Sequence, residues 1–161
     1  MLPESLSAAL ESPDPADAVL HVALAHFGCA TGTVHVLRDG ALKLSAHVNI
    51  PAPLLPIIDT VPIGKGIAGL AAQRCAPVDM CNLQTDTSGD ARPAAKTTGM
   101  EGSIAVPMLV DGELCGVLGV AKPHAHEWTS AEKSELMEIA ARLGFKHLST
   151  EEDEEKLGHD L

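Results

Sequence analysis

The chain has 161 residues and a mass of 16.7 kDa, 45% apolar and 20% charged, which fits one globular domain able to bury a core without metal or disulfide. Lys plus Arg number 11 against 22 Asp plus Glu, and the net charge of −11 sets the chain against nucleic acid and anionic membrane surfaces as partners. The only aromatic residues are Phe27, Phe145 and Trp128, which excludes a base-stacking platform and an aromatic protein–protein hot spot.

The acidic excess lies at the ends: residues 21–126 hold 8 acids and 7 bases, and the flanks hold the other 14 acids and 4 bases. No basic stretch followed by an apolar run opens the chain, and no window of about 18 apolar residues occurs. Four cysteines (Cys29, Cys75, Cys81, Cys115) in a domain that needs no staples read as free thiols in a reducing cytoplasm.

A short helix is expected over residues 3–11. A second begins at Asp14-Pro15, an N-cap followed by proline at the first helical position, repeats apolar residues at helical spacing, and closes at Gly28. Asp39-Gly40 joins two alternating segments, 33–38 and 41–48, in a hairpin that places Leu42, Leu44, Ala46 and Val48 on one face. Residues 49–63 are broken by four prolines and leave room for a short helix at most. A helix opens in Gly64-Lys-Gly-Ile-Ala-Gly69 and runs to Arg74, a short strand covers 78–83, and residues 84–101 form a polar loop. A second hairpin, 103–110 and 113–121 around Asp111-Gly112, has apolar runs expected to be covered on both faces, with a bend or bulge at Pro107. Thr129-Ser-Ala-Glu132 is a capping box that starts the last helix, and the acid run Glu151–Glu155 reads as a solvated tail or frayed helix end.

Gly64-x-Gly66-x-x-Gly69 matches the dinucleotide-binding spacing, but that chemistry requires a strand–turn–helix within a βαβ unit. A proline-broken segment precedes this turn, and a short strand and long loop follow. The glycines are therefore read as a tight backbone turn, with a helix N-terminus offering N–H groups to an anion as the residual possibility.

The stretch from Val61-Pro-Ile-Gly-Lys-Gly-Ile-Ala-Gly-Leu to Val78, then Ser103-Ile-Ala-Val-Pro-Met, Asp-Gly-Glu-Leu-Cys-Gly-Val-Leu-Gly-Val120, and Trp128-Thr-x-x-Glu, resembles the signature series of GAF domains over residues 15–146. The resemblance implies an α+β fold: a central antiparallel sheet of five or six strands with helices on both faces. The terminal helices would lie on one face, and a small-ligand pocket on the other under the 84–101 loop. It implies a non-catalytic sensory domain that pairs through its terminal helices as a homodimer and signals through that packing or a separate protein partner. A dimerisation module without ligand is the alternative. No kinase, cyclase or DNA-binding helix pair lies within these residues, so either another protein reads the signal or the chain is an excerpt of a longer one.

A third reading is a thiol enzyme. Free methionine-R-sulfoxide reductases are similar at Ile63-Gly-Lys-Gly, but they carry a Cys where this chain has Ala68 and a Cys-Asp pair in the lid loop, whereas residues 84–101 contain no Cys. Sulfoxide reduction needs an attacking thiolate and a resolving thiol. The Asn-Lys…Phe…Asp-Glu pattern of cyclic-nucleotide-binding members is also missing after Asn82, as are the aromatics around a bilin-bearing Cys.

Cys75 and Cys81 read as buried small hydrophobes, with a redox pair or metal binding as sharper alternatives, and Cys115 as an inert core residue. His124-Ala-His126 lacks an evident third metal ligand. His35 and His47, on adjacent arms of one hairpin, either line the pocket and titrate near neutrality or form an ordinary surface or cross-strand pair. Lys65, Arg92 and Lys96 fall around the proposed pocket mouth and point to a small anionic ligand, against the plainer reading of solvated loop charge. The candidate ligand-binding set is Lys65, Ile67, Arg92, Lys96, Met100, Ser103 and His35, with no catalytic or metal-ligating residue and no cofactor identified. The domain is placed at 1–148 and the acidic tail at 149–161.

Overall fold

Two Asp-Gly turns organise the sheet. In the computed structural model, which describes residues 2–159, β1 (Thr31–Arg38) and β2 (Ala41–Val48) meet at Asp39-Gly40, and β5 (Ser103–Val110) and β6 (Glu113–Ala121) meet at Asp111-Gly112. All four turn residues have positive φ, 52° and 77° in the first pair and 52° and 80° in the second, as a two-residue turn matched to strand twist demands. β1 pairs antiparallel with β6 and joins the hairpins. The edges are β3 (Thr60–Pro62) on β2 and β4 (Val78–Met80) on β5, so six antiparallel strands run in the order β3-β2-β1-β6-β5-β4.

Five α-helices cover both faces: α1 (Ser5–Leu10), α2 (Pro15–Phe27), α3 (Leu55–Ile58), α4 (Gly66–Arg74) and α5 (Ser130–His159). The sequence signals at their ends act as read. The Asp14 carboxylate accepts from the Asp17 N–H at 3.3 Å, and Gly28 ends α2 in the left-handed region. At the start of α5 the Thr129 hydroxyl accepts from the Glu132 N–H at 3.1 Å, and the Glu132 carboxylate accepts from the Thr129 N–H at 2.9 Å.

One face of the sheet carries the larger core. Leu20 and Leu24 of α2 and Leu136, Ile139 and Leu143 of α5 pack on Val34, Ile104, Val106, Met108 and Leu118, with Leu6 of α1 closing the end. Each such side chain removed from water contributes about 1.5–3 kcal/mol. On the opposite face α4 sets Ala71 and Ala72 on Leu42, Val61, Ala105 and Val117. Small residues on α4 let it lie close to the sheet as it crosses from β3 at one edge to β4 at the other. The glycine turn therefore does not feed a parallel βαβ unit.

Three expectations are corrected. The second hairpin arm does not keep one face: the register shifts between Val34 and His35, Ser45 bulges out, and Leu42 joins the α4 side while Ala46 joins the α2–α5 side. The strand at 78–83 stops at Met80, because the Cys81 carbonyl instead accepts from the His126 N–H at 2.9 Å and Leu83 packs under the loop. The irregularity in the second hairpin falls between Met108 and Leu109, one residue beyond Pro107, and Cys115 is the residue bulged out of register. Of the two readings of the acid run, solvated tail or helix end, the backbone takes the second and continues α5 to His159, while Asp160 and Leu161 lie outside the described residues.

The glycine turn is closed by the Gly64 N–H donating to the Gly69 carbonyl at 2.8 Å and the Lys65 N–H to the Pro62 carbonyl at 3.2 Å. A Cβ at Gly69 would stand 2.5 Å from the Pro62 carbonyl oxygen and 3.0 Å from the Gly64 nitrogen, both backbone atoms that cannot swing aside. Gly69→Ala is accordingly expected to destabilise the fold by about 1–3 kcal/mol in urea unfolding. An unchanged midpoint would show that the turn has slack.

Candidate functional site

Alternation along the central strands builds the site. Residues of β1 that do not face α2 and α5 (Thr31, Thr33, His35) face the α4 side, joined by Ser103 and Ala105 of β5 and Gly119 of β6. A Cβ at Gly119 would reach the Thr33 hydroxyl at 3.2 Å, so glycine keeps this floor open. Above it is a cavity of about 160 Å³, bounded by the N-terminus of α4, by α3 with its preceding turn, and by residues 91–98 of the loop. That space is small beside the pockets that enclose drug-sized ligands.

Of the seven candidate residues, His35, Lys65, Ile67, Arg92 and Ser103 line this cavity. Lys96 and Met100 do not. The Lys96 ammonium donates to the Asp86 carbonyl at 3.2 Å, and the Gln84 amide ties the Lys96 and Met100 carbonyls together at 2.9 and 2.8 Å, so both serve the loop's own structure. Lys65 is exposed at the rim. The wall formed by Leu54, Ile57 and Ile58 was missed by sequence reasoning. Its signal was an apolar cluster set among prolines, and Ile57 remains 40% exposed.

Two polar atoms in this lining are buried without a partner: Nη1 of Arg92 and Nδ1 of His35. The Arg92 stem lies over the glycine turn, where a Cβ on Gly66 would stand 3.0 Å from its Cγ. His35 is 2% exposed, and its Nε2 lies 2.8 Å from the Ile58 carbonyl. A carbonyl only accepts, so Nε2 carries the hydrogen and Nδ1 of the neutral ring is left as an acceptor. Burial holds the imidazole below its usual value, outweighing the opposite effects of the Ile58 carbonyl and the Asp59 carboxylate. His47 stands opposite Thr33 rather than His35 and is exposed, so the two histidines do not form a cross-strand pair.

The base of the loop is bonded to the segment that launches α5. The Leu83 N–H donates to the Glu101 carbonyl at 2.7 Å, the Glu101 N–H to the Lys122 carbonyl at 2.8 Å, and the Gly102 N–H to the His124 carbonyl at 3.0 Å. His126 then lies 2.9 Å from Glu132 in the first turn of α5, and Lys133 pairs with Asp79 of β4 at 3.3 Å. Burial alone would raise the Glu132 carboxyl, but bonds from the Thr129 N–H and His126 hold it below its usual value.

The cysteines depart from the expectation in part. Cys75 and Cys81 are exposed rather than buried, because Cys75 takes the left-handed position that ends α4 and Cys81 follows the last paired residue of β4. Cys115 is buried, and burial pushes the Cys29 thiol up to about 11, with Lys122 opposing. None of the four lines the cavity. Among the described residues no three His, Cys, Asp or Glu side chains are grouped to hold a metal ion, and no helix is long and apolar enough to cross a membrane.

A curled six-stranded antiparallel sheet with the terminal helices on one face and a loop-covered cavity on the other defines an α+β fold class. The chain belongs to the GAF domain family, whose family model matches residues 10–145. No curated protein matches it in sequence. Among solved structures it is similar to the GAF domain of a phosphoenolpyruvate-protein phosphotransferase from Coxiella burnetii (TM-score 0.74, 16% identity, covering 92% of this chain and 96% of that one). It is likewise similar to the corresponding Acinetobacter GAF domain (TM-score 0.77, 15% identity, 93% and 92%). A third is the free methionine-R-sulfoxide reductase of Neisseria meningitidis in complex with its substrate (TM-score 0.76, 18% identity, 94% and 88%). At these identities the likeness is one of fold.

The depressed basicity of His35 has a consequence for stability. Below about pH 6.5 the unfolded chain binds a proton at this position that the folded state resists, so stability falls as the pH drops through that value until the folded ring itself titrates. His35→Gln is expected to flatten the loss of stability between about pH 7 and 5 in urea titrations. A slope identical to that of the wild type would contradict the buried, neutral ring.

Proposed function

We propose that this chain is a non-catalytic, ligand-sensing GAF domain that holds a small anionic molecule between the sheet and the 84–101 loop. The observation that carries the reading is the mostly apolar cavity under the loop, whose lining brings Arg92 and Lys65 together with Ser103 and His35 of the sheet. A guanidinium on the lining of an apolar cavity favours a carboxylate or phosphate over a neutral ligand. The bonds from both ends of the loop to residues 122–126 support a mechanism in which loop closure biases the start of α5. The cavity-free cysteines favour binding over the reductase chemistry of the Neisseria neighbour, since no thiolate would meet a bound sulfoxide. Four cysteines, none of them in a disulfide, support a cytoplasmic location.

Titration calorimetry against small carboxylates and phosphates tests the reading. Arg92→Gln should weaken binding by about 10- to 100-fold, the usual worth of a charge-assisted hydrogen bond, whereas Lys65→Ala at the exposed rim should cost no more than about fivefold. Unaltered binding by Arg92→Gln would contradict the assignment.

The same reading places self-association on the helical face and passes the signal through that pairing or to a separate signalling protein. Its support is Phe145 of α5, 64% exposed in a chain with only two phenylalanines. Sedimentation should find a wild-type dimer and a Phe145→Asp monomer. A wild type that sediments as a monomer at high concentration would remove this part of the proposal.

A further inference from the structure

We propose that the ligand of this cavity is bifunctional, with its anionic group on the side of the glycine turn and loop and, at its other end, a neutral hydroxyl or carbonyl seated on the hydroxyls of Thr31, Thr33 and Ser103. The inference rests on the anion-binding reading and narrows it. Strand pairing puts the three hydroxyl residues on one floor. Ala121 of β6 stands between Thr31 and Ser103, and Gly119 stands between Thr33 and Ala105, so small residues at the centre leave the hydroxyls around them open. A Cβ on Gly32 would run into the Leu20 and Leu24 side chains of α2, so Gly32 faces the helical core and its neighbours Thr31 and Thr33 face the cavity. The Thr33 hydroxyl reaches over Gly119, 3.2 Å from where a Cβ there would stand.

These hydroxyls are open to the cavity where Nδ1 of His35 and Nη1 of Arg92 are sealed. Thr31 and Ser103 are more than nine-tenths buried as residues, at 7% and 6% exposure. Among the described residues none of the three hydroxyls has a hydrogen-bond partner, and none is closed off from solvent. An apolar ligand end pressed onto them would strip their water and return nothing, at the cost of each polar group left unpaired. A hydroxyl both donates and accepts, so the floor takes either a hydroxyl or a carbonyl. It does not suit a second carboxylate: the cationic side chains of the lining, Lys65 and Arg92, belong to the glycine turn and the loop, and a charge on the floor would be buried without a partner. Waters kept on the floor beneath a ligand would satisfy the hydroxyls equally well, and this is the competing account.

Isosteric ligands separate these accounts in the full chain. Calorimetry compares pentanoate with 4-hydroxybutyrate, and propyl phosphate with 2-hydroxyethyl phosphate. Each pair exchanges a terminal methyl for a hydroxyl, and the two pairs separate carboxylate from phosphate. Succinate and phosphoglycolate serve as the matched ligands with a charge at both ends. The expected result is that the hydroxyl member of at least one pair binds about fivefold or more tightly than its methyl isostere, the cost of leaving a buried hydroxyl unpaired, and more tightly than its doubly charged counterpart. Thr33→Val combined with Ser103→Ala should remove that preference while the methyl member still binds. Methyl or doubly charged members that bind as well as the hydroxyl members in the wild type overturn the neutral polar end and leave the anion reading standing. A preference kept in full by the folded double variant overturns the assignment to these hydroxyls. Binding of none of these ligands overturns the anion reading itself. The wild-type comparison stands alone if the double variant fails to fold.

Discussion

The antiparallel pairing of β1 with β6 is the constraint on which the molecule depends. These two strands lie at the centre of the sheet and join the two hairpins. Because successive side chains point to opposite faces, the same eight or nine residues must supply the floor of the helical core and the floor of the cavity. Val34 and Leu118 go to α2 and α5, whereas Thr33, His35 and Gly119 go to the cavity. A slip of one residue would exchange the two sets, placing a histidine in the core and leucine in the site. The turns at Asp39-Gly40 and Asp111-Gly112 fix the register within each hairpin, and burial on both faces of β1 and β6 fixes it between them.

The chemistry of the site follows from burial rather than from net charge. The protein as a whole is strongly acidic, and its exposed bases are expected to contribute little to binding. Arg92 differs because its stem covers the glycine turn and its Nη1 is shut away from water. The low local dielectric makes an unpaired donor there costly and a paired one effective. His35 is held by the same logic in the opposite sense, since desolvation keeps its ring neutral and its free nitrogen an acceptor.

Much of the architecture was legible because local signals agreed with the global fold. Asp14-Pro15 with Gly28, the two Asp-Gly turns and the Thr129–Glu132 box each specify a backbone geometry through a side chain of known chemistry, and each stands where expected. What stayed hidden depends on contacts distant in sequence. The flip at Ser45 is set by pairing with β1, so alternation within the arm gave no sign of it. Cys75 and Cys81 look like core residues by type, but an element end and a broken ladder leave them outside. Lys96 and Arg92 are indistinguishable as loop bases in the sequence. Only the packing of one over Gly66 and the tethering of the other to Asp86 separate them. The apolar wall at Leu54 and Ile57 went unread because prolines obscured its periodicity.

The central claim is that a small anion occupies the cavity and is held by Arg92. Native mass spectrometry of the protein purified without denaturation tests it most directly, with Arg92→Gln prepared in parallel. The account predicts a wild-type mass raised by one small, collisionally releasable anion and a variant at its bare mass. A bare wild type, or an adduct retained equally by both proteins, would contradict it.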